Sequence, residues 1–364
     1  MVVLEPSATA RRALPRAQGA GHVSQVLIVD DSLVMRSVIQ RAIDSAPGFT
    51  VCASLPSAQA ALEFLSSHPA DIILLDIEMP RRSGLDALPD LVAASNHARI
   101  LVLSSQCREG APASLKALAL GASDTLSKPD QQFYPRSFTT KLLEKLQLLG
   151  DAARISRQAM PPVVARPVAT HSTLECIAIG SSTGGISAIH ELLGQLDPHI
   201  DAPILITQHL PPDFIPFLVR HIGDLDLRPV HQATDGAVLQ RGHIYCAPGD
   251  AHLGLQSKGG TTRIKLLNDW PGTAYKPSID PMFTAVARCF GERGAGVMLS
   301  GMGADGLAGA ELLAAEGAPI YVQDAQSSTV WGMPGAVARA GLASVILPPA
   351  GIARFIADCW LEPK

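Results

Sequence analysis

Short apolar runs alternate along this chain with apolar stripes at helical spacing, and few folds accommodate that alternation. Val26 to Val29, Ile72 to Leu75 and Ile100 to Leu103 are unbroken apolar runs of strand length, and Val34, Met35, Val38, Ile39, Ala42 and Ile43 form a helical stripe after the first. A strand that is apolar on both faces must be covered on both, so the pattern predicts a parallel sheet with helices on either side. The stripe Leu142, Leu143, Leu146 and Leu149 closes this first unit, and the same grammar restarts near Leu174. Cys176 to Ile179, Ile204 to Thr207, His243 to Ala247, Val297 to Ser300 and Ile320 to Gln323 predict a second doubly wound α/β sheet, and the alternation across His252 to Asn268 predicts an antiparallel hairpin. A chain of 364 residues has room for two cores of ordinary size.

The expected division is a flexible tail over 1–24, a first α/β unit over 25–147, a linker over 148–173 and a second unit over 174–364. The tail has no apolar period, and the linker carries Pro161, Pro162 and Pro167. A net charge of −4 with no long basic run argues against nucleic acid as a partner. Six dispersed cysteines without a Cys-x-x-Cys pair suggest neither a disulfide framework nor a zinc site, and read as buried thiols in a reducing compartment. No apolar stretch approaches the roughly 18 residues of a membrane span and no signal-peptide core follows the N-terminal arginines, so a cytoplasmic protein is expected.

Functional groups of parallel sheets gather beyond the carboxyl ends of the strands. In the first unit those ends carry Asp30 and Asp31, Asp76, Ser104 and Lys128. Three carboxylates packed together repel one another unless a cation joins them, and Mg²⁺ held by carboxylates and water is the natural one. Such a pocket suits phosphoryl transfer to a carboxylate. Asp76 is the expected nucleophile and Asp31 and the Glu78 backbone carbonyl are expected metal ligands beside it, with Asp30 acting through water. Ser104 would donate to a phosphoryl oxygen and Lys128 would pair with its charge.

The second unit opens with Gly180-Ser181-Ser182-Thr183-Gly184-Gly185 directly after an apolar run. The register Gly180-x-Ser182-x-Gly184 predicts a strained strand-to-helix elbow exposing Ser182, with Ser181 as its neighbour. His209 ends the next strand, and Asp305 lies in the turn after Ala295 to Ser300, which makes a base and its orienting acid available on one edge. The remaining histidines, His252 among them, fall on helical or solvated patterns. A backbone amide near Met302 is the expected oxyanion donor. The same turn also reads as a dinucleotide fingerprint, Gly301-x-Gly303-x-x-Gly306, with Asp324 at the end of the following strand. A phosphorylation-controlled binding module therefore stands as an alternative to a hydrolase.

The Asp-Asp-Ser start, Asp76-Ile-Glu-Met-Pro80 with Gly84-Leu85, and Ser127-Lys128-Pro129 resemble the receiver domain of two-component response regulators. The resemblance implies a flavodoxin-like fold, phosphorylation of Asp76 by a partner histidine kinase, and a switch. Receivers usually carry an aromatic switch residue where this chain has Thr125. Ile179 to Gly185, Ile206 to Pro212, Tyr245 to Gly249, Lys276 to Asp280, Ser300 to Gly306 and Trp331 to Pro334 resemble the chemotaxis protein-glutamate methylesterases. That resemblance implies a Rossmann-like esterase domain with a Ser182-His209-Asp305 triad and no cofactor of its own. It also implies glutamyl methyl esters on chemoreceptors as substrate, glutamine deamidation as a second activity, and a monomer without direct membrane insertion.

Overall fold

Apolar runs that are buried on both sides form the middle of each sheet. The protein is described by a computed structural model covering residues 23–95, 98–104, 110–128, 136–157, 174–273 and 275–360. The first unit runs β1 (Ser24–Val29), α1 (Leu33–Asp44), β2 (Phe49–Leu55), α2 (Ala58–Leu65), β3 (Ile72–Asp76), α3 (Gly84–Ala94), β4 (Arg99–Ser104), α4 (Gly110–Ala119), β5 (Asp124–Ser127) and α5 (Arg136–Arg157). Its five strands are parallel in the order β2-β1-β3-β4-β5. Every residue of β3 is buried, as an unbroken apolar strand at the sheet centre must be. Ser32, Ser57 and Ser83 cap the first three helices by accepting from Met35 N, Ala60 N and Asp86 N. Each satisfies an amide that the first helical turn leaves without a partner.

Two boundaries differ from the sequence reading. β1 begins at Ser24, whose amide donates to Gly48 O, so the N-terminal residues outside the described structure are 1–22. α5 continues to Arg157, well into the expected linker, because no proline interrupts the chain before Pro161. Residues 158–173 lie outside the described structure.

The second unit runs β6 (Cys176–Ser181), α6 (Gly185–Gln195), β7 (Ile204–Gln208), α7 (Ile215–Gly223), β8 (Val230–Gln232), β9 (Ile244–Cys246), β10 (His252–Lys258) and β11 (Thr261–Leu267). It continues with α8 (Ile279–Phe290), β12 (Gly294–Met298), α9 (Leu307–Ala315), β13 (Ile320–Gln323), α10 (Met333–Arg339), β14 (Val345–Leu347) and α11 (Pro349–Trp360). Seven parallel strands lie in the order β14-β13-β12-β6-β7-β9-β8, and β10 and β11 form the expected antiparallel hairpin beside them. Helices α6, α7 and α11 share one core with one face of this sheet, and α8, α9 and α10 share another with the opposite face. The sheet is therefore doubly wound, like the first.

The two units touch through α4, which packs against α6 and α7, and through the segment after β13. Arg99 Nη2 donates to Ser328 O at 2.8 Å, and Val330 joins the apolar cluster under α1 and α5 of the first unit. Burial pulls the Arg99 guanidinium down to about 10, and its Nε has no hydrogen-bond partner. Among the five described cysteines none is in a disulfide, and only Cys176 and Cys246 are fully buried. Cys107 lies outside the described residues. No helix of the described residues is long and apolar enough to cross a membrane.

Candidate active site

β6 and β12 are neighbours, yet β6 leads into α6 on one face of the sheet and β12 into α9 on the other. Their loops diverge and leave a crevice at the carboxyl edge, which is where doubly wound sheets place their ligands. Ser182 follows β6, Asp305 follows β12, and His209 follows β7 on the far side of β6.

The two adjacent serines have different fates. Ser181 is fully buried, and its Oγ donates to Gln208 Oε1 at 2.6 Å. Gln208 Nε2 in turn donates to the Ser182 carbonyl at 2.9 Å, so the pair fixes the backbone on which Ser182 stands. Ser182 itself is half-buried at the edge of the crevice. The strained elbow expected from the glycine spacing is absent: Ser182 is not among the residues of positive φ. The left-handed position is Gly184 (φ 75°), where a side chain would collide with Thr329 and Ser300, so the turn is made two residues later and by glycine.

His209 Nε2 lies 2.7 Å from Asp305 Oδ2. Asp305 also accepts from Ser278 Oγ at 2.6 Å and from Ile279 N at 2.8 Å. Burial alone would raise its carboxyl, but the bonds from His209, Ser278 and Ile279 outweigh it and hold the group below the ordinary carboxylate range. His209 Nδ1 is buried and has no hydrogen-bond partner, so the predicted contact from Ser182 to its base is not made in this state. His252, expected on a solvated pattern, is buried and accepts from Ser278 N through Nδ1 at 3.0 Å. Tyr275 stacks on the His209 ring with centroids 4.5 Å apart.

The glycines of the apparent dinucleotide fingerprint have internal reasons to be glycine. A Cβ at Gly301 would lie 2.5 Å from Met333 Sδ and 2.9 Å from Ser182 Cβ, at Gly303 2.8 Å from Tyr275 Oη, and at Gly306 2.5 Å from Met298 Cε. Side chains of the chain itself occupy the space, so the spacing does not mark a pyrophosphate cradle. The Met302 amide donates to no acceptor among the described residues.

In the first unit Lys128 Nζ bridges Asp76 Oδ2 at 2.7 Å and Asp30 Oδ2 at 2.8 Å. Burial pulls the lysine down, but the two carboxylates outweigh it and raise it. Asp76 is pushed up to about 6, chiefly by burial and also by Asp30, against the pull of Lys128. One carboxylate oxygen from each of Asp30, Asp31 and Asp76 lies within 4.8 Å of the others. Asp30 Oδ2 meets Lys128 and no other donor among the described residues. This all-oxygen set, open to solvent at exposed Asp31, fits a hard divalent ion that keeps part of its water. Glu78 contributes its amide, which donates to Asp76 Oδ1 at 3.0 Å, and its exposed carboxylate is not in the cluster. Ser104 Oγ is 3.1 Å from Ser114 Oγ of α4, a partner the sequence did not suggest.

A cavity of about 370 Å³ lies where the units meet. Ser182, Thr183, Gln208 and His209 line one wall, and Leu118, Thr125 and the ion pair of Asp124 with Lys145 line the other. The crevice of the second unit is thus roofed by the α4-β5-α5 side of the first.

Fold and site together define a two-unit α/β protein: a unit with a lysine-bridged carboxylate pocket laid over one with a serine, histidine and aspartate on its switch-point edge. The response regulator receiver domain model matches residues 26–133, and the CheB methylesterase model matches residues 177–356. A protein-glutamate methylesterase/protein-glutamine glutaminase of Rhodospirillum rubrum is 35% identical over 91% of this chain and 94% of its own, and one of Caulobacter vibrioides is 39% identical over 92% and 98%. The crystal structure of the Thermotoga maritima CheB methylesterase catalytic domain is 31% identical, with a TM-score of 0.50, and covers 52% of this chain and 99% of that one. The chain belongs to the protein-glutamate methylesterase/protein-glutamine glutaminase family, with a receiver domain ahead of the methylesterase domain.

Proposed function

We propose that this chain is a phosphorylation-controlled serine hydrolase that removes methyl esters from glutamyl side chains of chemoreceptors and deamidates receptor glutamines, acting in the cytoplasm in chemotaxis adaptation. The observation that carries the assignment is the His209–Asp305 pair, whose remaining ring nitrogen, Nδ1, is unpartnered beside the cavity that Ser182 lines. Nδ1 takes the proton from Ser182 Oγ as the hydroxyl adds to the ester carbonyl, and Asp305 stabilises the imidazolium through Nε2. The oxygen that becomes negative is received by the Met302 amide. Collapse expels methanol, which leaves with the proton from His209. Water, deprotonated by the same nitrogen, then releases the glutamate. With an amide substrate the proton goes to departing ammonia instead.

Control runs through the first unit, residues 24–157, joined by 158–173 to the second. Asp76 is the carboxylate that accepts a phosphoryl group from a histidine kinase. Mg²⁺ would be held by Asp30, Asp31 and Asp76, with the Glu78 carbonyl near it, and would supply positive charge to the transferring phosphoryl group. Lys128 pairs with the product's charge and Ser104 donates to one of its oxygens. The roofed cavity supports a reading in which the unphosphorylated receiver restricts access to Ser182 and phosphorylation shifts the docked pair towards an open one. The test is methanol release from methylated receptor fragments with and without a small phosphodonor. Stimulation that disappears in Asp76→Asn supports the reading, and equal rates in all four conditions refute it.

A further inference from the structure

One hydrogen bond holds the His209 ring, from Nε2 to Asp305, and a single bond fixes a point without fixing the plane of a ring. That bond alone would let the imidazole turn about the contact, carrying Nδ1 away from the cavity that Ser182 lines. What sets the plane is Tyr275. Its ring lies against the imidazole at 4.5 Å between centroids and only 10° from parallel. Tyr275 N accepts its own restraint by donating to Thr273 Oγ1 at 3.1 Å, and three residues later Ser278 and Ile279 grip Asp305. One short segment thus holds the base by its face and the acid by its oxygens. The far end of the same phenol ring fills the space beside Gly303, where a Cβ would lie 2.8 Å from Oη. The ring therefore spans from the imidazole to the turn that carries the Met302 amide.

We propose that Tyr275 is a positioning residue for this hydrolase, fixing the His209 plane and its spacing from the Met302 turn by aromatic stacking. The proposal rests on His209 being the base. The hydroxyl of Tyr275 is not required for it, whereas a flat aromatic face is. A π face also attracts a cation, so the contact strengthens when His209 is protonated in the transition state. The effect then falls on kcat more than on KM.

The test compares full-length wild type with Tyr275→Phe and Tyr275→Leu in methanol release from methylated receptor fragments, with phosphodonor present. Tyr275→Leu is expected to lose about 10- to 100-fold in kcat with KM nearly unchanged, the size of effect that follows from misplacing a reacting group by about 1 Å. Tyr275→Phe is expected to stay within about threefold of wild type. The carbon-bound protons of the His209 ring, followed by NMR, should keep their ring-current displacement in the Phe variant and lose it in the Leu variant. Should Tyr275→Leu melt early, Tyr275→Met carries the same comparison. An aliphatic variant with wild-type kcat, or a Phe variant that falls as far as the aliphatic one, overturns the proposal. His209→Ala separates the two levels: if that variant still releases methanol, the reading of the site fails whatever Tyr275 does.

Discussion

Nε2 of His209, not Nδ1, faces Oδ2 of Asp305 at 2.7 Å, so the nitrogen left for proton transfer is the one nearer the backbone. The carboxylate is held by two further donors, Ser278 Oγ and Ile279 N, and cannot follow the ring if the ring moves. Orientation therefore depends on the carboxylate keeping its charge and its place.

Asp305→Asn should accordingly lower kcat by about 10³–10⁴ while leaving KM close to wild type, as expected when an imidazole loses the group that sets its tautomer. Methanol release from methylated receptor fragments measures it. A loss below about tenfold would mean that Asp305 serves the fold more than the chemistry.

The adjacent serines should separate cleanly. Ser182→Ala should abolish covalent labelling by a serine-directed phosphonate with little change in stability. Ser181→Ala should keep the label but lose about 1–3 kcal/mol in urea denaturation, because Gln208 Oε1 is left buried without its donor. Labelling that survives in Ser182→Ala would move the nucleophile elsewhere.

Much of the architecture was legible in the sequence, and for a physical reason. Strands such as β3, β6 and β7 are buried on both faces and show as unbroken apolar runs, and the rule that functional groups gather at strand ends in such sheets pointed to Asp76, Ser182, His209 and Asp305. The short edge strands left no trace: β8 has no such run, and β14 is an apolar run of only three residues. Tyr275 and Ser278, in a segment without periodicity, and His252, at the start of the β10 hairpin strand, were missed as site residues because they reach the site through contacts 26 residues or more apart in sequence. Ser114 and Arg99 matter only because helices and units pack, and no local pattern encodes that.

Thr125 stands where receivers usually have an aromatic switch residue, and the Ser104–Ser114 bond offers another link from the phosphorylation pocket to the interface. If Ser104 turns towards a phosphoryl oxygen, it releases Ser114 on α4, the helix packed against α6 and α7. Ser114→Ala should therefore raise methanol release without phosphodonor by about 2- to 10-fold, the range of one modest hydrogen bond, and reduce the stimulation by phosphodonor. Unchanged basal rate and stimulation would remove Ser114 from the pathway.

His252 supplies the pH dependence. Burial first, then the charge of Lys276, holds its imidazole below the ordinary value, against the opposing pull of Asp305 and Asp269. The neutral ring accepts from Ser278 N, so its share of stability is complete above the unfolded value of about 6.5 and is lost as pH falls below it. Urea midpoints of the wild type should drop between about pH 7 and pH 5, and those of His252→Asn, which cannot titrate, should drop less. Parallel curves for the two proteins would assign the acid sensitivity to other groups.

Arg99 gives the contact between the units a particular character. Its guanidinium is taken out of water where the units meet and donates to the Ser328 carbonyl in return, with Nε bare and its pKa lowered by burial. A seam of leucines in that place would weld the halves shut, whereas a half-satisfied cation makes the seam one that water competes to reopen. At Arg99 the interface is therefore held less tightly than an apolar contact in the same place would hold it.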